Sequence, residues 1–109
     1  MKSLTMKPLL VVDGSQALPH FALDVVGYGI DFLFATGHKV MADTGIGILY
    51  GRKDLLQKMS PALCGGGAIN SVTVDAYEPA GLPYRYEPGT PHIIGAASLL
   101  AALDYVDSI

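Results

Sequence analysis

Two short apolar runs, each closed by polar residues, constrain this chain most. Leu9-Leu10-Val11-Val12 leads into Asp13-Gly14-Ser15-Gln16, and Phe32-Leu33-Phe34-Ala35 leads into Thr36-Gly37-His38-Lys39. Apolar runs without polar alternation suit strands covered on both faces, the kind found in parallel sheets. In open α/β sheets, reactive side chains gather where such strands end. Residues 9–13 and 31–36 are therefore expected as strands, with residues 14–30 supplying a tight parallel crossover between them. A third apolar segment, 45–50, follows too closely for a crossover, which predicts an antiparallel neighbour. The expected architecture is α/β, a partial mixed sheet with incomplete edges.

The rest of the chain reads more weakly. Residues 19–24 are expected as a loop and 25–29 as a short connector. Residues 53–59 look helical, with Pro61 as the stop. Residues 64–70 form a glycine-rich loop, 71–75 a weak strand, and 80–88 an extended, turn-rich stretch. From 92 to 106 the apolar residues fit a helix, with Thr90 as N-cap and Pro91 at the first helical position.

Bulk properties narrow the possible functions. The 109 residues allow one domain at most: a leader over 1–8, expected to be disordered, and a partial domain over 9–109. Half the residues are apolar, 16% are charged, and the mean hydropathy is +0.39. A small domain buries only a modest share of its surface, so a partner chain or a larger fold is expected to cover the excess. The net charge of −3 and the lack of a Lys/Arg cluster argue against nucleic acid. No apolar stretch is long enough for a bilayer, and the N-terminal apolar core is too short for a signal peptide. A single cysteine excludes an internal disulfide and fits a reducing, cytoplasmic setting. His20, His92 and Asp43 show no metal-ligand spacing, so no metal is expected.

The candidate chemistry rests on Asp13 and Lys39. An aspartate at this position can turn back onto the Ser15 amide, or it can hold a protonated ring nitrogen. A lysine that attacks an aldehyde must be deprotonated, which calls for an apolar or cationic setting. The strands flanking Lys39 could supply one. An acid and an amine so placed are the minimal equipment of a pyridoxal-phosphate site.

Four motifs carry a family resemblance: Asp13-Gly14-Ser15-Gln16; Thr36-Gly37-His38-Lys39 followed by Thr44-Gly45-Ile46-Gly47-Ile48-Leu49-Tyr50; Gly65-Gly66-Gly67; and Tyr86-Glu87-Pro88-Gly89-Thr90-Pro91. In order and rough spacing the chain resembles the cysteine desulfurases, most of all the group-II branch that includes selenocysteine lyases. These belong to the class V aminotransferases, fold-type I enzymes that use pyridoxal phosphate. The resemblance runs from about residue 9 to the end and covers only the middle of such an enzyme. It implies Lys39 as the Schiff-base lysine and proton shuttle, and Asp13 as the partner of the pyridine nitrogen. Gln16 would hold the ring oxygen, and Thr36 and His38 the phosphate. Thr90 would reach the phosphate in a neighbouring subunit of a homodimer. It further implies L-cysteine or selenocysteine as substrate, a sulfur-acceptor protein as partner, and a role in iron–sulfur cluster assembly.

Two departures qualify this. Ala42-Asp43 stands where the family usually carries Gly-Pro. Cys64 lies too close after Lys39 to match the family's nucleophilic cysteine, and the resemblance puts that cysteine and the substrate-binding arginine outside these residues. The segment alone is therefore expected to be inactive. Another class V enzyme, an epimerase or lyase, and a non-catalytic fragment that joins a partner chain remain open as alternatives.

Overall fold

The structure is a computed structural model that describes residues 7–109. Most of the expected leader, residues 1–6, lies outside the described residues. The chain divides into two compact units: residues up to Arg52 together with Gly95–Ile109, and Lys53–Ile94.

The first unit is built on three strands. Strand β1 (Val11–Asp13) pairs in parallel with β2 (Phe32–Thr36), and β2 pairs antiparallel with β3 (Gly47–Gly51). The expected mixed sheet is present, with order β1-β2-β3 and β2 at its centre. The crossover between β1 and β2 is made of turns, not helix. Asp24 Oδ1 organises part of it, accepting the N–H groups of Val26 (3.2 Å) and Gly27 (2.9 Å). Such an Asx turn satisfies backbone donors that a helix would satisfy internally.

The core of this unit gathers Ile30, Phe32, Leu33, Ala35, Val40, Ala42 and Ala102, all buried. Gly47 fits because a side chain there would meet the Ala35 carbonyl at 2.8 Å. Asp31, 4% exposed, ties the strands at their start. Its carboxylate accepts the Leu10 N–H and an Arg52 Nη1 proton, both at 2.8 Å. The Leu10 N–H first, and the Arg52 guanidinium after it, hold this carboxyl below the usual carboxylate range against the opposing effect of burial.

One expectation fails here. Both apolar runs were expected to be covered on both faces, but Leu9, Leu10 and Val11 are exposed. β1 has β2 on one side and no strand of the described residues on the other, so its apolar character is not matched by cover within this chain.

In the second unit, helix α1 (Lys53–Leu56) is shorter than expected, and a side chain meets carbonyls at its end and just beyond it. The Tyr86 hydroxyl lies 2.7 Å from the Leu56 carbonyl and 2.9 Å from that of Met59, sharing its one proton between them. The weak strand is present as β4 (Ile69–Val72), shifted two residues toward the N-terminus, and it forms a hairpin with β5 (Tyr77–Pro79). β5 was not foreseen. Its three residues carry no alternation, and only the turn through Thr73 and Ala76 brings them into register.

Helix α2 (Ile93–Asp107) starts later than expected, so Thr90 is not its N-cap and Pro91 precedes its first turn. Gly89, at φ 94°, donates its N–H to the Gly66 carbonyl, which keeps the chain bent ahead of the helix.

Candidate functional site

The carboxyl ends of β1 and β2 lie side by side. Asp13 is level with Phe34, and the Gly14 N–H extends the ladder by donating to the Phe34 carbonyl at 2.8 Å. One step further the ladder changes character. The Thr36 N–H donates to the Ser15 hydroxyl oxygen at 3.3 Å, so a side chain replaces the backbone carbonyl.

The Asp13 carboxylate is exposed and folds back onto its own loop, accepting the Ser15 N–H at 2.9 Å. The turn reading of this aspartate is therefore correct, and it leaves the second carboxylate oxygen for other partners. The Ser15 hydroxyl, then its N–H, then the positive charge of Lys39 lower the Asp13 pKa, outweighing partial burial. Asp13 is thus held as an anion that senses the Lys39 charge.

Lys39 sits on a single 3-10 turn, Gly37–Val40, not on an irregular loop. The turn is fixed at its start by Ile46. Gly37 donates to the Ile46 carbonyl at 2.8 Å, and a side chain at 37 would meet Ile46 Cγ2 at 2.6 Å. Val40 points inward with 2% exposure, which leaves His38 and Lys39 facing outward. Met41 closes the turn in the left-handed region at φ 68°, a conformation uncommon for a residue with a side chain. The Asp43 N–H then donates to Ser98 Oγ at 2.8 Å, anchoring the far end of the turn to α2.

The apolar setting expected for Lys39 from its flanking strands is not there. The turn gives its inward position to Val40, and Lys39 is exposed. Thr36 Oγ1 lies 2.9 Å from His38 Nδ1, so the hydroxyl and the imidazole form one polar pair beside the lysine. Gln16 is exposed on the loop after β1. One sheet end thus carries an ionised acid, an amine, a hydroxyl–imidazole pair and an amide. Such a set can pair with a protonated ring nitrogen, attack a carbonyl carbon and bind an anion.

Thr90 belongs to the other unit, where it is exposed next to Gly89. Cys64 is also in that unit and exposed. Its hydrogen bond and charge raise the pKa of Tyr77. Among the described residues no three His, Cys, Asp or Glu side chains cluster as a metal site would require. No helix among them is long and apolar enough to cross a membrane.

Ser15 and Ser98 did not stand out in the sequence as site residues. Both act through backbone N–H groups distant in the chain, and a serine in a loop carries no local sign of such a partner.

Comparison with known proteins finds relatives over most of the chain. A probable cysteine desulfurase of Streptomyces coelicolor is 45% identical over 101 residues, 93% of this chain and 24% of the relative. The crystal structure of the Escherichia coli cysteine desulfurase CsdA superposes with a TM-score of 0.88 at 40% identity, over 93% of this chain and 25% of that one. The apo cysteine desulfurase of Thermococcus onnurineus NA1 gives 0.87 at 40% identity, over 93% of this chain and 26% of that one. The fold is thus part of the fold-type I architecture of those enzymes. The chain spans about a quarter of the length of the relatives it matches. The family model for aminotransferase class-V covers residues 3–109, and the chain belongs to that family.

Proposed function

We propose that this chain is the central pyridoxal-phosphate-binding part of a cysteine desulfurase. The parent reaction converts L-cysteine to L-alanine and passes the sulfur, through an enzyme persulfide, to an acceptor protein. The observation that carries this reading is the placement of Asp13 and Lys39 at the ends of neighbouring strands, close enough for the lysine's charge to lower the acid's pKa. Relatives named as cysteine desulfurases, 42–45% identical over most of the chain, support the choice within the family.

The donor set fits pyridoxal phosphate. Lys39 Nζ would hold the aldehyde carbon, and the ionised Asp13 would keep the ring nitrogen protonated. Gln16 would donate to the ring oxygen. The Thr36–His38 pair would bind the phosphate, with Thr90 contributing to a phosphate across a homodimer. Bound pyridoxal phosphate supplies the electron sink that makes the substrate Cα acidic. Lys39 Nζ would accept the substrate Cα proton and return it. The exposed position of Lys39 in this chain calls for further residues of the parent enzyme to exclude water around it.

In this reading residues 9–109 are a piece of the large cofactor-binding domain. Selenocysteine is an alternative substrate, iron–sulfur cluster assembly the pathway served, and the cytoplasm the compartment. Cys64 has no part in sulfur transfer. The 109 residues by themselves should turn over almost no cysteine, because groups that act together fail together.

The test is to add pyridoxal phosphate to the protein and to Lys39→Ala, then record visible spectra and treat both with borohydride. A yellow band in the parent, with the pyridoxyl group fixed on the Lys39 peptide and absent from the variant, is expected. An equal band and equal labelling in Lys39→Ala would overturn the assignment.

A further inference from the structure

Ser15 is 7% exposed, one of two buried polar side chains among the described residues. It lies between the two functional strand ends. Its hydroxyl oxygen takes the Thr36 N–H at 3.3 Å, the bond that prolongs the β1–β2 ladder past its last backbone pair. Its N–H is held by Asp13 Oδ1 at 2.9 Å. A hydroxyl has one proton to give and two lone pairs to offer. With the oxygen accepting from Thr36, the hydroxyl proton is left over, and the hydroxyl lies near enough to Asp13 to be the first cause that lowers its pKa. Alanine would leave the Thr36 N–H without its acceptor in a partly buried place.

We propose that Ser15 is a positioning residue, whose buried hydroxyl accepts the Thr36 N–H while its own N–H is held by the Asp13 carboxylate, tying the acid of β1 to the strand end that leads to Lys39. The chain of contacts then continues through the Thr36 hydroxyl to His38 Nδ1 at 2.9 Å. Through this one residue the orientation of the acid and the placement of the Thr36–His38 pair become a single property. The importance of that geometry for cofactor binding rests on the pyridoxal-phosphate reading above, whereas the coupling itself does not.

The experiment therefore measures the coupling without the cofactor first. Carbon-13 NMR of the Asp13 carboxylate gives its titration midpoint, and hydrogen exchange gives the protection of the Thr36 amide. Lys39 is the charged group that also lowers the Asp13 pKa, so it is left unaltered in every variant. In Ser15→Ala the Asp13 midpoint should rise toward the ordinary 3.8. The Thr36 amide should exchange about tenfold faster, the scale of one lost hydrogen bond, while the Leu33 amide keeps its rate. Ser15→Thr, which restores the hydroxyl, should recover both. If Ser15→Ala does not fold, Ser15→Cys carries the same comparison with a thiol, a much weaker partner.

Unchanged midpoint and exchange would overturn the proposal. Equal acceleration across the whole sheet would also overturn it, because Ser15 would then be a general packing residue. Affinity for pyridoxal phosphate is measured last. A shifted Asp13 with unaltered affinity would keep the role of Ser15 and sink the assignment of Asp13 as the ring-nitrogen partner.

Discussion

β1 and β2 are made of the same material and live in different surroundings. Both are short and apolar, both run in the same direction, and both end in a candidate site residue. Yet Val11 in β1 is 57% exposed while Leu33 in β2 is 2% exposed. β2 has a strand on each side, and its side chains meet the unit's core. β1 has one neighbour and is pinned mainly at its ends, by Asp31 below and Gly14 and Ser15 above. The difference teaches that apolarity in a strand reports the environment for which the sequence is suited. The actual cover depends on which neighbours are present. β1 has the apolar sequence of a covered strand and, among the described residues, stands at an edge.

The comparison can be broken most sharply at Leu33. Leu33→Ala should cost about 2–5 kcal/mol in urea unfolding, the range for truncating a buried leucine. A loss no greater than that from an exposed site would show β2 to be no more a core strand than β1. Next in size is the tie at the base of the two strands. The Asp31 carboxyl is held below its ordinary value of 3.8 in the folded chain. It therefore contributes stability that is complete above that value and is lost as pH falls through the depressed one. Asp31→Asn should flatten the acid limb of a stability–pH curve, leaving the neutral region less stable and nearly level. An unchanged acid limb would mean that other carboxylates govern it. The smallest effect is expected at Val11. Val11→Thr keeps the strand-favouring branch and should move stability by no more than about 0.5 kcal/mol. A larger loss would mean that β1 is covered in solution by a second chain.

The features that could be read in advance are those with a local cause. The apolar runs placed β1 and β2, and the loop lengths between 13 and 32 and between 36 and 47 gave one parallel and one antiparallel pairing. The Asp13 and Lys39 motifs stood out because several matched in order, where either alone would have been ordinary. What stayed hidden was set by tertiary neighbours. The 3-10 turn under Lys39 depends on the Ile46 carbonyl and on Val40 filling the core. The exposure of Lys39 follows from that turn. α1 stops early where the Tyr86 hydroxyl, thirty residues on, takes up its carbonyls. β5 exists only as the return arm of a hairpin. Thr90 looked like a cap because its residue type and the following proline are right, but the bend at Gly89 delays the helix.

The bond from the Asp43 amide to Ser98 spans 55 residues, and that span is also an interval of time. A ribosome adding about 5–20 residues per second adds Asp43, just past the lysine turn, roughly 3 to 11 seconds before the serine that anchors it. Throughout that interval the nascent chain carries Lys39 on a turn whose far end has no Ser98 to hold it. That last bond closes as a late event of synthesis, when α2 has been made.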